Sequence, residues 1–166
     1  MKLVLFEYTC KCCGNFYKAP QINPYAYGEF LLRKRNSPTL RYLDALNTPA
    51  YAEVADELRV NEYTRALDDI TRADVLQIIF GSAACDPDVD GEPFELGLLP
   101  CCTDCGETVS ISWQITDPIE FVEKDLIPAT FSGWLNLTGR DRKKKVLAVL
   151  TRLSRFAPTR GRREEI

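Results

Sequence analysis

The sequence predicts an α+β fold with short antiparallel strands, a large helical insertion and a C-terminal helix. Apolar and polar side chains alternate from 109 to 116, which is the pattern of a strand with one buried face. Apolar residues recur at helical spacing over 51–58 and again over 146–153. A chain of 166 residues is long enough to bury a hydrophobic core. We therefore predict one domain over 1–157, containing the insertion at about 37–81, and a basic tail at 158–166.

Three segments are predicted as strands beside two clusters of cysteines. Leu3 to Tyr8 forms a short strand that enters the first cluster, and Asn15 to Lys18 returns from it. The clearest strand follows the second cluster, where four apolar residues alternate with polar ones. These apolar residues are Val109, Ile111, Trp113 and Ile115. We expect their face of the strand to pack against the core and the other face to contact water.

The insertion is predicted to contain four helical segments. The first begins at Ser37-Pro38, which is typical of a helix N-terminus. The second covers 51–58, and the third extends over 63–70 with similar apolar spacing. The fourth begins at Thr71, has little polar surface and ends at Gly81.

The chain contains seven cysteines and no histidine. Without histidine, hydrolase triads and His-ligated catalytic metal sites are excluded, and no nucleophile elbow or phosphate-binding glycine loop is found. We therefore predict that the protein is not an enzyme, with a thiol oxidoreductase as the remaining catalytic class. The N-terminal apolar run stops at Phe6, which is too short for an export signal, so the predicted location is cytoplasmic.

Two copies of one short motif predict a structural Zn²⁺ site. Cys10-x-x-Cys13-Gly14 and Cys102-x-x-Cys105-Gly106 each direct two sulfurs at one ion from a tight turn that the glycine permits. Four thiolates complete a tetrahedral shell with no open position, which is typical of structural zinc. A disulfide pair or reduced buried cysteines are the alternatives, and a reducing compartment favours metal.

Other candidate ligands lie beside this site and in one acidic loop. Cys12 and Cys101 flank the predicted ligands and could replace a neighbour, whereas Cys85 is expected to be a small buried residue. The loop Asp86-Pro87-Asp88-Val89-Asp90-Gly91 starts like a calcium loop, but Gly97 occupies the position of the bidentate glutamate. An ion site and an ordinary acidic turn both stay open there.

Paired Cys-x-x-Cys-Gly knuckles resemble those of zinc ribbons. The resemblance covers the two knuckles and their flanking strands, and the 88 residues from 14 to 101 would be a large helical insertion into the ribbon. The arrangement also looks like bacterial double-CxxCG proteins, some of which are immunity partners of polymorphic toxins. This second resemblance implies a non-catalytic protein that neutralises a cognate toxin.

The distribution of charge predicts a basic protein partner. Residues 50–99 carry twelve acids and three arginines, a balance of −9, which steers cationic partners toward the insertion. Such a surface would suit a toxin that acts on nucleic acid, because the active-site groove of that toxin must be positive. The predicted partner-binding residues are Glu53, Asp56, Glu57, Glu62, Asp68 and Asp69.

The opposite charge at the C-terminus supports an alternative function. Residues 140–166 carry ten arginines and lysines and three acids, beginning in a last helix that we expect to start near Thr138. A nucleic-acid-associated accessory or regulatory factor would use the cations of 140–163 to contact phosphates. No stretch approaches the roughly 18 apolar residues that a membrane span needs, so no membrane partner is expected.

Overall fold

The computed structural model describes the backbone of residues 1–156 and the side chains through residue 153. Its mixture of helices with mainly antiparallel strands confirms the predicted α+β class. The strands are β1 (Lys2–Cys10), β2 (Phe16–Gln21), β3 (Glu29–Arg33), β4 (Leu40–Asp44), β5 (Glu95–Leu96), β6 (Ser110–Ile115), β7 (Phe121–Glu123) and β8 (Ile127–Pro128). The helices are α1 (Pro49–Val60), α2 (Asp69–Ala84), α3 (Ser132–Leu135) and α4 (Gly139–Phe156).

The first sheet, called sheet A, is built around β1. Strand β2 pairs with one edge of β1, and β6 and β7 pair with successive parts of its other edge, all antiparallel. In this register Tyr8 lies opposite Tyr17 on one side and Trp113 on the other, so these rings share a face. Because β1 ends at Cys10, the first knuckle begins at the end of the central strand of this sheet.

The second sheet, called sheet B, has the order β5-β3-β4-β8. Its strand β4 corrects the prediction of a helix beginning at Ser37-Pro38. Residues 40–44 instead pair antiparallel with β3, and Leu43 lies opposite Phe30 in the core. The Ser37 hydroxyl accepts the N–H of Thr39 in a local turn rather than capping a helix. The insertion predicted at 37–81 therefore becomes helical only from residue 49.

The helices of the insertion also differ in their boundaries from the prediction. Residues 61–67 form turns rather than a helical segment. Helix α2 begins before Thr71, because the Asp68 carboxylate accepts the N–H of Thr71 as an N-cap. The helix also continues past Gly81 to Ala84, so the glycine lies inside it. Gly81 is needed there for a close approach, since an added Cβ would lie 1.8 Å from the carbonyl oxygen of Phe94.

Helix α4 begins where the sequence predicts, with Thr138 and Asp141 hydrogen-bonded at its first turn. It packs its apolar stripe against α1 and α2 on sheet B. The predicted basic tail at 158–166 lies outside the described residues. None of the helices within residues 1–156 is long and apolar enough to cross a bilayer.

The exposed apolar face of β6 corrects a second prediction. Trp113 is 61% exposed and Ile111 is 67% exposed, although their alternation indicated a buried face. The physical reason is that β6 lies at the edge of sheet A and, among the helices and strands of residues 1–156, packs mainly against β1, so no second layer covers this face. Its apolar side borders a groove of about 550 Å³, where the rings of Trp113 and Phe6 lie 5.6 Å apart.

Glu53, one of the acids predicted to bind a partner, contacts residues of α3 and α4. Its carboxylate accepts the indole N–H of the fully buried Trp134 at 2.7 Å. The same carboxylate forms an ion pair of 2.9 Å with Arg142, whose guanidinium lies over the Trp134 ring. Glu53 therefore joins α1 to the C-terminal helices.

We expect Glu53→Ala to lower the free energy of unfolding by about 1–2 kcal/mol, because it leaves the Trp134 N–H and Arg142 without their acceptor. Chemical denaturation measures this change. Glu57→Ala is the matched control on the same helix, and its effect should stay within about 0.5 kcal/mol. Equal effects of the two substitutions would contradict the structural assignment of Glu53.

Candidate metal centre

The two predicted knuckles have the same backbone geometry. In the first, the N–H of Gly14 donates to the carbonyl of Cys10 at 3.0 Å, and the N–H of Cys10 donates to Asn15 at 2.9 Å. In the second, the N–H of Gly106 donates to Cys102 at 3.0 Å, and the N–H of Cys102 donates to Glu107 at 2.8 Å. Gly14 and Gly106 have φ angles of 75° and 78°, which side chains disfavour. Each glycine thus allows the turn that aims both cysteines of its knuckle at one point.

Four sulfurs meet between these turns. The Sγ atoms of Cys10, Cys13, Cys102 and Cys105 all lie within 4.8 Å of one another. Cys10 Sγ lies 3.5 Å from Cys105 Sγ, and Cys13 Sγ lies 3.7 Å from Cys102 Sγ. Sulfurs bound tetrahedrally at about 2.3 Å from an ion would be separated by about 3.8 Å. The donor set and its spacing therefore fit a metal ion held by four thiolates.

Neighbouring side chains hold the two knuckles together. The Tyr17 hydroxyl, on β2, donates to the carbonyl of Pro100 at 2.9 Å and fixes the approach to the second knuckle. The Asn15 amide donates to the Asp104 carboxylate at 2.6 Å, which joins the two turns directly. Sequence reasoning missed Tyr17 and Asn15, because their partners lie more than 80 residues away in the chain.

The electrostatics of the site favour a thiolate at Cys10. The backbone N–H of Cys13 lowers the pKa of the Cys10 thiol to about 7; burial opposes this shift and the N–H of Cys12 reinforces it. Burial, and to a smaller extent the nearby sulfurs of Cys102 and Cys10, raise the pKa of Tyr17 to about 12. Tyr17 therefore stays a neutral hydrogen-bond donor beside the sulfur cluster.

The other cysteines lie outside the group of four sulfurs. Cys12 is exposed and Cys101 is partly buried, and neither belongs to the described cluster. Cys85 is buried at the end of α2, where burial raises the pKa of its thiol to about 12. A buried thiol with this pKa is a poor nucleophile at neutral pH, and Cys85 is not in the described cluster of four sulfurs.

The acidic loop at 86–91 already has cationic and backbone partners. Lys34 Nζ lies 2.9 Å from Asp88 and 2.5 Å from Asp90, and Arg41 lies 3.6 Å from Asp88. Asp86 accepts backbone N–H groups at the start of α3. These contacts favour the acidic turn over the calcium site, because each carboxylate has a partner within the chain.

The other acids that were predicted to bind a partner lie on α1, in the turn at 61–68 and at the start of α2. Asp56 pairs with Arg59, and Asp69 pairs with Arg72, in each case three residues along the chain. Asp68 is occupied as the N-cap of α2. Glu57 and Glu62 have no ion pair among the described residues, and Glu62 is exposed.

No protein-family model, curated protein or solved structure matches this chain.

Proposed function

We propose that Cys10, Cys13, Cys102 and Cys105 hold a structural Zn²⁺ and that the protein acts by binding another protein rather than by catalysis. The convergence of four thiols from two glycine turns is the observation on which this proposal depends. Zinc suits this donor set because it accepts tetrahedral thiolate coordination and has no redox chemistry of its own. Four protein ligands leave no position for water or substrate, so the ion would stabilise the fold.

The charge of the insertion supports a basic partner. Glu57, Glu62 and the paired acids around them belong to a stretch with a balance of −9. This balance already includes the local arginines that pair with Asp56 and Asp69, and the surplus of acids steers cationic surfaces toward α1 and the following turn. The partner-binding surface that we propose therefore omits Glu53 and centres on Glu57 and Glu62.

The exposed strand β6 supports a protein partner by a separate argument. Its apolar side chains and open edge are unusual for a free protein, because such surfaces promote association. Nucleic-acid contacts would instead call for cations, and Ser110–Ile115 contains none.

A narrower proposal concerns the nature of the partner. The double-CxxCG resemblance suggests a bacterial immunity protein in the cytoplasm that neutralises a cognate toxin. An acidic inhibitor would suit a toxin that binds phosphates, because the two charged surfaces would attract each other and speed association.

A charge-reversal experiment tests the proposed surface. Wild-type protein first recovers its partner from the source lysate, and the affinity of the purified pair is then measured. We expect Glu57→Lys with Glu62→Lys to weaken this affinity by at least about tenfold. The control is Glu123→Lys with Asp125→Lys, which changes the net charge equally at exposed positions of 121–125. If both double variants bind equally, the acidic surface is not the binding site.

Nucleic-acid binding is the second candidate function, and exposed cations on α4 favour it. Arg140, Lys143 and Lys144 are exposed, whereas Arg142 is committed to Glu53 and Trp134. The cations at 160–163 lie outside the described residues. Steeply salt-dependent binding of arbitrary DNA or RNA by the isolated protein would favour this function over the first.

A further inference from the structure

A pocket of about 530 Å³ lies between the two sheets, beside the second knuckle. The charged side chains that line it, within the described residues, are all cations: Lys18, Arg33, Lys34 and Lys124. This is unexpected in a chain whose residues 1–139 carry a balance of −10. The pocket is therefore a local region of positive charge within an acidic body.

Two of these cations already have carboxylate partners. Lys18 forms an ion pair with Glu120 at 2.5 Å, and Lys34 pairs with Asp88 and Asp90. Their charges are therefore largely neutralised within the protein.

Arg33 and Lys124 have no carboxylate within ion-pair distance among the described residues. Arg33 is only 7% exposed, and its guanidinium donates to the carbonyl of Pro20 on the neighbouring sheet. Burial lowers the pKa of Arg33, since the charged form loses its hydration. A buried cation without a counter-ion destabilises a protein unless an anion compensates it. No described carboxylate compensates the buried charge of Arg33, so an anion bound beside it would be stabilised.

The remaining walls of the pocket are mainly apolar. Pro20, Pro38, Leu40, Leu99 and Pro100 form much of the lining. The volume lies within the range of roughly 300–1,000 Å³ that is typical of sites for small molecules. Apolar walls around a few charged groups are the usual composition of such sites.

We propose that this pocket binds a small organic anion, with a carboxylate or phosphate group on an apolar body. The oxyanion binds between Arg33 and Lys124, and the apolar body packs against the proline and leucine side chains. The planar guanidinium fork suits both carboxylate and phosphate, because each can accept two parallel N–H bonds. The pocket borders the four-sulfur cluster, because Cys102 belongs to both, and the proposal does not depend on the identity of any protein partner.

The competing explanation for Arg33 is electrostatic support of the metal centre. Zinc with four thiolates carries a net charge of −2, and Cys101 beside the site also lines the pocket. In that case Arg33 would act as a counter-charge for the ion, and its loss would lower metal affinity without any effect on anions.

Calorimetric titration of the metal-loaded full chain tests the proposal with four probes: benzoate, phenyl phosphate, inorganic phosphate and neutral benzamide. We expect saturable binding of benzoate or phenyl phosphate, with benzamide at least about tenfold weaker. Tighter benzoate binding would identify a carboxylate ligand, and tighter phenyl phosphate binding would identify a phosphate ligand. Binding of inorganic phosphate as tight as that of phenyl phosphate would overturn the role of the apolar walls.

Variants locate the binding site. Arg33→Gln should lower the affinity for the tighter-binding aromatic anion by at least about tenfold, and Lys124→Ala should lower it by about threefold. Lys124 is exposed, so Lys124→Ala should fold. It therefore tests the site even if Arg33→Gln does not fold. Lys143→Ala, at an exposed position on α4, should leave the affinity unchanged. The proposal is overturned if neither aromatic anion binds saturably, or if wild type and Lys124→Ala bind the anion equally well. It is also overturned if Arg33→Gln loses zinc while its affinity for the anion stays the same.

Discussion

Cys105→Ser is expected to reduce bound zinc from about one ion per chain to almost none after a chelator wash. The substitution removes one of four thiolates, and a hydroxyl is a poor replacement for the sulfur ligand. Structural zinc sites contribute a large part of the folding free energy, so stability should fall by more than about 3 kcal/mol, or about 10 °C in melting temperature. Elemental analysis and thermal unfolding measure the two effects. Because Cys105 is exposed, loss of core packing does not explain such a change.

Cys12→Ser is the matched control for this substitution. Cys12 is also exposed and lies one residue from a predicted ligand, yet it is outside the group of four sulfurs. Its variant should retain zinc and the wild-type melting temperature. Retention of zinc by Cys105→Ser together with its loss from Cys12→Ser would show that Cys12 is a ligand. Retention of zinc and stability by both variants would contradict the four-thiolate site.

Gly81→Ala is expected to destabilise the protein by about 3 kcal/mol, or roughly 6–12 °C in melting temperature. The sign of this change in stability is informative. In most helices the same substitution would stabilise the protein, because glycine inside a helix normally costs about 0.5–1 kcal/mol relative to alanine. At this position the added Cβ would lie 1.8 Å from the Phe94 carbonyl oxygen, so α2 or the segment before β5 must move. Thermal and chemical denaturation both measure the loss.

Gly139→Ala is the control at the start of α4. A Cβ at this position meets no atom within 4 Å, so the substitution should be neutral or slightly stabilising. A stabilising effect of Gly81→Ala would show that α2 does not approach Phe94 as the structure places it.

The cluster of four cysteines and several elements could be predicted because their signals are local. Each knuckle is five residues long, so its spacing and its glycine already specify the turn and the direction of both sulfurs. Helix α1 and helix α4 have apolar stripes that are complete within their own sequence. The register between β1 and β6, which brings the knuckles together, could not be predicted from the sequence. Two matching pairs of cysteines nevertheless implied that the two knuckles lie side by side.

The corrected helix prediction, and the contacts that no sequence signal indicated, concern residues whose environment depends on distant segments. Residues 40–44 form a strand because β3 pairs with them, and this pairing outweighs the local signal at Ser37-Pro38. In the sequence, Glu53 is one of several acids on the polar face of a helix. Its contacts with Trp134 and Arg142 could not be predicted, because these residues lie 81 and 89 positions away in the chain. No sequence signal indicated the burial of Arg33, which depends on packing between the two sheets.

Sequence alone determined which four cysteines could share an ion, and it predicted a strand at 3–8 and a helix that starts near Thr138, because these signals depend on spacing within a few turns of chain. Only the tertiary structure decided that β6 keeps its apolar face exposed, that Gly81 touches a neighbouring backbone, and that a cationic pocket forms between two sheets. Burial and charge compensation depend on atoms brought together from distant parts of the chain, and no local pattern records that proximity.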